Sequence, residues 1–322
     1  MPAEAPTIED IRAARDRIKG DVLRTPLVPL VPLDHAPAGA RIHLKLENLQ
    51  PIGSFKLRGA SNAMRLADPA ALADGVWTAS AGNMAQGVAW QARRLGLPCT
   101  VVAPDHAPET KRAAVERLGA RIVLTPFAEW FELLTRRTFP GVEGLFIHPV
   151  SDRPVMAGNG TIGLELLEDL PDVDAVIIPY GGGGLTCGIA SAIRALRPAT
   201  RIYACEVDTA APLAQSLAAG ERRPFEYKAS FVDGMGSPFL LEDMWPLVRA
   251  LVDGSIVVTL EEIASAIRLL AERHRVIAEG AGAASVAAAL TGRAGTGNIA
   301  CIVSGGNLDS AKLSKILAGT IP

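Results

Sequence analysis

An α/β fold with mainly parallel sheets flanked by helices is predicted from two features of the sequence. Short β-branched runs alternate with helix-compatible segments almost from end to end, and Gly- or Ser-rich turns join several strand–helix pairs. Nine strands would be many for one sheet, which favours two sheets. The predicted strands are Ile42–Leu46, Gly75–Thr78, Thr100–Ala103, Arg121–Leu124, Leu145–Ile147, Ala175–Ile178, Ile202–Glu206, Ser255–Val258 and Ile299–Val303.

The helices are predicted from apolar periodicity and from the turns at which they begin. Near the N-terminus, Thr7 is a good N-cap, and Glu9 and Asp10 favour the first turn of a helix. The other predicted helices are Ala60–Leu66, Met84–Leu95, Pro108–Leu118, Ala128–Thr138, Gly160–Leu170, Leu185–Leu196, Leu260–His274, Ala281–Leu290 and Ser310–Leu317.

Composition excludes several functional classes. The 322 residues can bury a large core, and 49% apolar with 20% charged residues is ordinary for a soluble globular protein. A net charge of −2 gives no electrostatic attraction to nucleic acid or to an anionic membrane. There is no apolar run that could span a bilayer, and the N-terminus lacks a signal-peptide pattern. We therefore expect a cytoplasmic protein whose partner is a small molecule.

The cysteines point to the same compartment. They form no C-x-x-C pair and mostly fall in strand-like apolar runs, so they are expected to be small buried residues rather than metal ligands or disulfides. A reducing cytosol suits such thiols. The four are Cys99, Cys187, Cys205 and Cys301.

Lys56 is the first candidate functional residue. It lies in the turn-like segment Pro51–Ala60, between Phe55 and Leu57, in a chain whose 32 basic residues include only a few lysines. Most lysines are surface charges, which is the ordinary interpretation. A partly desolvated lysine amine, however, can be neutral and attack a carbonyl, including the aldehyde of pyridoxal phosphate.

Four consecutive glycines form the second element. Gly181 to Gly184 follow the apolar run Ala175–Pro179 and precede a helix-compatible segment. Successive backbone N–H groups at a helix N-terminus can bind an anion. The spacing matches neither the dinucleotide fingerprint nor the P-loop, so a lone phosphate is predicted.

Two further turns follow predicted strands. One is Ser80–Met84, with the sequence Ser-Ala-Gly-Asn-Met, and the other is Ser304–Asn307, with the sequence Ser-Gly-Gly-Asn. Each is a weak signal alone, because Ser, Gly and Asn are common in loops. Together with Lys56 and the glycines, they offer partners for an aldehyde, a phosphate, a carboxylate and a ring nitrogen.

These motifs, in this order, resemble the threonine/serine dehydratase branch of the fold-type II (tryptophan synthase β-like) pyridoxal-phosphate enzymes. The similarity runs over essentially the whole chain, and serine racemases and other hydroxyamino-acid dehydratases share it. It implies a large domain, 1–47 plus 147–322, and a smaller, mobile substrate-clamping domain, 48–146. The cofactor, pyridoxal 5'-phosphate, would lie in the cleft between them. Relatives of this kind are homo-oligomers, so a dimer or tetramer is expected.

The resemblance also implies roles around the cofactor ring. Lys56 would form the Schiff base and, once displaced, take the Cα proton. Phe55 would pack against the ring, Asn83 would donate to its phenolic oxygen, and Glu279 would lie nearby. Ser304 would meet the pyridine nitrogen, where a neutral hydroxyl favours prompt loss of a β-substituent over transamination.

Two binding sets complete the implied site. Helix N-termini bind anions, and both sets lie at such ends. The phosphate would be held by Gly181, Gly182, Gly183, Gly184 and Leu185. The substrate carboxylate would be held by Ser80, Ala81, Gly82, Asn83 and Met84. No side chain is assigned as proton donor to the leaving hydroxyl, for which the cofactor phosphate is a candidate.

The sequence departs from the family pattern at three places. Ala81 stands where racemases of the family have a second serine, which disfavours racemisation. Met84 stands where the family usually has His, so either the pocket is more apolar or this side chain packs within the helix. Glu206 fits a family metal ligand, and Ala210 and Pro212 stand four and six residues on, where the family has a carbonyl and a carboxylate. The carboxylate is missing at Pro212, so no metal is predicted.

The predicted function is β-elimination from a 3-hydroxy L-amino acid, giving a 2-oxo acid and ammonia. The substrate is threonine- or serine-like, hydroxyaspartate, or a bulkier compound such as 3-phenylserine. Two enzyme alternatives stay open, an amino-acid racemase and a β-replacement synthase of the same fold. A ligand-binding α/β protein without catalysis is the non-enzyme alternative.

Overall fold

Two sheets make up the computed structural model of the protein, which describes residues 2–31 and 37–322. The larger sheet has the order β1-β2-β10-β7-β8-β9, and the smaller has the order β5-β4-β3-β6. All neighbouring strands are parallel except β1, which pairs antiparallel with β2. The strands are β1 Leu27–Pro29, β2 Ala40–Leu46, β3 Val76–Ala79, β4 Cys99–Pro104, β5 Arg121–Thr125, β6 Leu145–Phe146, β7 Ala175–Pro179, β8 Arg201–Val207, β9 Gly254–Val258 and β10 Gly297–Val303.

Helices cover both sheets, and in the described part of the chain none is long and apolar enough to cross a membrane. A single π-turn, Leu270–His274, extends the tenth helix. The helices are α1 Ile8–Arg17, α2 Lys56–Leu66, α3 Asn83–Leu95, α4 Glu109–Glu116, α5 Phe127–Arg136, α6 Arg153–Asp169, α7 Gly184–Leu196, α8 Pro212–Ala219, α9 Trp245–Leu251, α10 Leu260–Leu269, α11 Gly280–Leu290 and α12 Ser310–Leu317.

Most predicted elements are confirmed, and the differences have physical causes. The strand β1 was missed because it is a three-residue edge strand that contains Pro29. Helix α6 begins at Arg153, seven residues before the predicted start. The prediction started too late because the first half of this helix contains glycines, which usually disfavour helices. Close packing requires them: a Cβ at Gly158 would lie 2.4 Å from the carbonyl oxygen of Arg58. The short helices α8 and α9 were also missed.

The topology brings the predicted turns to the carboxyl ends of their strands. The four glycines follow β7, Ser304 follows β10, and Ser80 follows β3. In parallel sheets, ligands bind at this edge. The four strands of the smaller sheet all lie between residues 76 and 146, and the other six lie outside this range. We therefore propose the division into a large domain (1–47 and 147–322) and a small domain (48–146).

Helix α2 is held at the boundary by a buried ionic cluster. Arg58, which is 1% exposed, donates two hydrogen bonds of 2.8 Å to Glu47. It also donates to Glu165 at 2.7 Å and to Thr161 at 3.0 Å. Lys45 donates to the other Glu165 oxygen at 2.6 Å. Each buried charge thus has a partner, which burial requires. Elsewhere the four cysteines are buried and unpaired, as predicted.

Candidate active site

Lys56 is the first residue of α2, and its amine has few partners. Its Nζ donates to the carbonyl oxygen of Pro149 at 2.7 Å and lies 5.3 Å from the centroid of the Phe55 ring. Burial lowers the pKa of Lys56 to about 8, and the charge of Glu279 partly opposes this shift. A usable fraction of the amine is therefore uncharged near neutral pH, as attack on a carbonyl requires.

The tetraglycine loop leaves its amides open toward the cavity. In the described part of the chain, the amides of Gly181, Gly182 and Gly183 donate to no backbone acceptor. Gly183 has a φ of 100°, and a Cβ at Gly182 would lie 2.6 Å from the side chain of Val150. Only glycine fits this turn. Because the loop leads into the thirteen-residue helix α7, its open amides add to the positive end of the helix. The loop fits a phosphate group.

Ser304 supplies a free hydroxyl at the end of β10. The residue is 3% exposed and borders the same cavity, and its Oγ has no hydrogen-bond partner among the described residues. Its carbonyl oxygen accepts from the amide of Phe55 at 3.0 Å, which ties the segment before Lys56 to this strand end. A hydroxyl that borders the cavity without a protein partner fits a ring nitrogen as its hydrogen-bond acceptor or donor.

Glu279, Asn83 and Asn307 form a chain of hydrogen bonds between the two domains. Asn307 donates to Asn83 Oδ1 at 2.7 Å, and Asn83 donates to Glu279 Oε1 at 2.7 Å. Burial raises the pKa of Glu279 to about 7, and the hydrogen bond from Asn83 partly opposes this shift. Glu279 stands at the N-cap of α11 but makes no capping hydrogen bond there. Its carboxyl group therefore borders the cavity and does not cap the helix.

The Ser80 turn presents a helix N-terminus to the cavity. Helix α3 begins at Asn83 after Gly82, and the Oγ of Ser80 accepts from the Gly82 amide at 3.2 Å. The first amides of a helix have no partner within it, so they are available to a carboxylate. The side chain of Met84 is 2% exposed and packs in the core of the small domain beside Ala85 and Val88. This packing favours the second of the two predicted interpretations of Met84.

All predicted site residues border one cavity of about 460 Å³, a size typical of ligand pockets. The structure therefore brings together segments that are as far apart in sequence as Phe55 and Ser304. These residues are Phe55, Lys56, Ser80, Ala81, Gly82, Asn83, Met84, Gly181, Gly182, Gly183, Gly184, Leu185, Glu279 and Ser304.

Sequence reasoning missed the rest of the cavity wall. Pro149 and Val150 reach it from the loop after β6, and Asp233 reaches it from the loop before α9. Phe127 and Trp130 of α5 also line it. The only available signal was the aromatic run Phe-Ala-Glu-Trp-Phe in a chain with 5% aromatic residues.

Glu206 does not resemble a metal ligand in this structure. Its carboxylate accepts from the amides of Leu213 and Ala214, both at 2.8 Å, and from Ser255 Oγ at 2.7 Å. Burial raises its pKa to about 7. The described residues contain no group of three or more His, Cys, Asp or Glu side chains arranged to hold a metal ion. Glu206 instead accepts hydrogen bonds at the N-terminus of α8, which leaves its oxygens less available to a cation.

Comparison with known proteins agrees with this geometry. The model of a family described as pyridoxal-phosphate dependent enzyme matches residues 18–305. The chain belongs to this family. It is 40% identical to the L-threonine ammonia-lyase of Thermotoga maritima over 314 residues, which are 97% of this chain and 78% of the relative.

Two further relatives extend the comparison. The catabolic L-threonine dehydratase of Staphylococcus aureus is 37% identical over 321 residues, which are 97% of this chain and 92% of the relative. The structure of maize serine racemase superposes with a TM-score of 0.90 at 36% identity and covers 98% of both chains. The chain is thus a fold-type II pyridoxal-phosphate-dependent enzyme, and its relatives include both lyases and a racemase.

Proposed function

We propose that the protein is an ammonia-lyase that eliminates water from a 3-hydroxy L-amino acid. Hydrolysis of the resulting 2-amino-2-enoic acid then takes up a water and releases ammonia, which leaves a 2-oxo acid. The observation that carries the proposal is the position of Lys56, a half-buried amine with a lowered pKa on the cavity that the glycine amides and Ser304 also border. The lyase names of the similar Thermotoga and Staphylococcus enzymes support it. Bound pyridoxal phosphate would withdraw electrons from Cα, which the protein's own groups cannot do.

Lys56 would act twice in this reaction. Its amine would hold the cofactor through the aldehyde until the substrate amine replaced it. The freed amine would then take the Cα proton, and a pKa near the working pH suits a general base. Its present acceptor is the Pro149 carbonyl oxygen at 2.7 Å, which holds the amine on the cavity side of α2.

The remaining residues would bind and orient. The amides from Gly181 to Leu185 would hold the phosphate, and the hydroxyl of Ser304 would meet the ring nitrogen. A hydroxyl rather than a carboxylate at this point favours loss of the β-substituent over transamination. Asn83 keeps a second amide hydrogen for the ring oxygen while the first binds Glu279.

The substrate carboxylate would bind at the N-terminus of α3, on Ser80 and the amides that follow it. Ala81 has no proton to donate to the opposite face of Cα, which disfavours racemisation although a racemase has a closely similar fold. Glu206 is fully engaged by protein donors, so no divalent cation is required at that position. A homo-oligomer, dimer or tetramer, belongs to the same proposal.

The test is release of ammonia and 2-oxo acid from L-serine, L-threonine, both 3-hydroxyaspartate diastereomers and 3-phenylserine. Turnover of any of these that is lost in Lys56→Ala supports the lyase. If none is turned over while D-amino acid accumulates from an L-amino acid, the racemase replaces it. Formation of a new β-substituted amino acid on addition of a thiol would instead indicate the replacement synthase.

A further inference from the structure

We propose that the part of the cavity lined by Phe127 and Trp130 is an aromatic subsite, so that the preferred substrate carries an aryl group on its hydroxylated β-carbon. Phe127 and Trp130 are the specificity-determining residues of this subsite. The inference rests on the proposed function, because it names the side chain of the amino acid that the same cavity binds. It is carried by a group of rings at the cavity wall that no cofactor contact requires.

Phe127 and Trp130 lie on the first turn of α5 and face each other and the cavity. Their ring centroids are 5.7 Å apart, and the imidazole of His106 lies 5.6 Å from the Phe127 ring. All three border the cavity that contains Lys56. Aromatic rings pair favourably at such separations, in tilted or edge-to-face arrangements. A further ring placed in the cavity would therefore meet several ring surfaces at once.

The two rings differ in how firmly the fold holds them. Trp130 Nε1 donates to the carbonyl oxygen of Val102 at 3.1 Å, which fixes the indole against β4. Phe127 is 50% exposed although it is a large apolar side chain next to a cavity. Exposed apolar surface in a concave site is typical of ligand binding, since a bound apolar group removes it from water. The exposed face of Phe127 is the surface that an aryl group would cover.

The charged groups on the cavity wall, Lys111 and Asp233, argue against a second carboxylate on the substrate. Besides Lys56, Lys111 is the lysine that borders the cavity among the described residues, and it forms a 2.9 Å ion pair with Asp233. A substrate carboxylate bound to Lys111 would lie close to the charge of Asp233, which Lys312 offsets only at 3.7 Å. No arginine borders the cavity within the described residues. The cavity wall is therefore better suited to an aryl side chain than to the carboxylate side chain of 3-hydroxyaspartate.

The rings continue across to the large domain. Phe131, on the same helix as Phe127, meets Phe239 edge-to-face with centroids 4.9 Å apart. Phe239 lies in the loop before α9, outside the small domain. This contact packs α5 against the loop before α9, so the position of Phe127 depends on that packing as well as on its own helix.

The test compares the binding of L-phenylalanine with that of L-alanine, neither of which has a β-hydroxyl to lose. Both are titrated into the holoenzyme while the absorbance of the bound cofactor is recorded. In the unaltered protein we expect L-phenylalanine to bind at least about tenfold more tightly, because its ring is buried on binding. This ratio is expected to fall close to one in Phe127→Ala and to persist in Phe127→Tyr.

Leu124→Ala is the matched control. Leu124 is 43% exposed, lies on β5 three residues before Phe127, and does not border the cavity. Its removal is expected to leave the ratio unchanged. Phe127→Ala should also raise the KM for 3-phenylserine roughly tenfold while changing that for L-threonine less than about twofold.

The experiments can refute the aromatic subsite and the proposed lyase reaction independently of each other. Equal binding of L-phenylalanine and L-alanine, or a ratio that survives Phe127→Ala, overturns the aromatic subsite even if L-threonine is turned over. Preference for 3-hydroxyaspartate, lost in Lys111→Met, overturns it in favour of a carboxylate subsite. If L-phenylalanine is preferred but no amino acid releases ammonia, the subsite stands and the lyase is wrong.

Discussion

Lys56 and Arg58 lie two residues apart at the start of α2, and their surroundings change their pKa values in opposite directions. Arg58 is enclosed by Glu47 and Glu165, whose charges and hydrogen bonds outweigh burial and raise its pKa further above its usual range. Lys56 has the carbonyl oxygen of Pro149 and only the more remote charge of Glu279, so burial lowers its pKa to about 8.

This difference distinguishes Arg58, whose charge is structural, from Lys56, whose amine can react. Removing an ion from water costs several kcal/mol, and only close partners offset this cost. Arg58 has such partners and remains charged at every accessible pH. Lys56 lacks a carboxylate within hydrogen-bonding distance in the described residues, so losing its proton costs little. One turn of helix thus contains both a fixed cation and an amine that can act as a nucleophile and base.

The largest expected effect follows from removing the reactive amine. Lys56→Ala should lower ammonia release at least about a thousandfold, because neither cofactor attachment nor Cα deprotonation has a replacement. Lys56→Arg should be equally inactive, since a guanidinium stays protonated. The exposed Lys315→Arg serves as the control and should retain full activity. Substantial activity in Lys56→Arg would contradict the assigned role.

Removing the structural charge should act on stability instead. Arg58→Met leaves Glu47 buried without its ion-pair partner and Glu165 with Lys45 alone, and we expect the free energy of unfolding to fall by about 3–5 kcal/mol. Urea unfolding of the cofactor-free protein measures this without a contribution from bound ligand. Arg15→Met removes the exposed pair with Glu168 and should cost less than about 1 kcal/mol. Equal losses in both variants would contradict the comparison.

His148, like Lys56, has a pKa that burial lowers, and the pH dependence of the protein's stability tests this effect. Burial lowers its pKa to about 4, and its neutral Nδ1 accepts from the amides of Val150 and Ser151, which shape the loop beside Lys56. The folded state favours the neutral form, so this stability is complete above about pH 6.5 and decreases as pH falls toward 4. The loss should reach up to about 3 kcal/mol at pH 4.

The measurement is the melting temperature of the unaltered protein and of His148→Asn between pH 4 and pH 8. Asparagine can still accept a hydrogen bond but does not titrate. The stability difference between the two proteins should therefore narrow as the pH falls below 6.5. A difference that stays constant over the whole range would mean that the buried imidazole is not held neutral.

Glu279 has a smaller effect on the pKa of Lys56 than burial does. Its negative charge raises the pKa of Lys56, against the effect of burial. Glu279→Gln keeps an oxygen for the Asn83 hydrogen bond and removes the charge, so the pKa of Lys56 should decrease below its present value. The pH dependence of amine labelling in the cofactor-free protein reports this pKa. An unchanged or higher midpoint would show that the two groups do not interact.

The smallest expected effect concerns metal ions. Glu206 is satisfied by two amides and one hydroxyl, so removal of divalent cations with EDTA should change kcat/KM by less than about twofold. Mg²⁺ added back should likewise have no effect. Strong activation by Mg²⁺ or Ca²⁺ would indicate a cation site that this carboxylate arrangement does not provide.

The sequence was most informative where structure is local. A strand, a small-residue turn and a helix are contiguous in the chain, so the turns at Ser80, Gly181 and Ser304 were recognisable, and the parallel sheets bring them to one cavity. The fold class followed from the same alternation. The position of Lys56 was found from its unusual apolar neighbours rather than from any long-range contact.

The missed features depend on packing between distant segments. The first half of α6 is helical because its glycines allow close contact with α2, which outweighs their low propensity. Pro149, Val150 and Asp233 are ordinary loop residues until the two domains meet. Met84 differs from the family pattern in the sequence, yet its side chain packs in the core, whereas the exposed ring beside the cavity belongs to Phe127.

The most direct test of the central comparison is chemical labelling of the amines. The cofactor-free protein is mixed with pyridoxal phosphate at a series of pH values and reduced with borohydride, and the modified lysine is identified by mass spectrometry. We expect modification at Lys56 alone, with a rate that rises through a midpoint near pH 8. Modification spread over the surface lysines, or a Lys56 midpoint at the ordinary lysine pKa of about 10.4, would contradict the account.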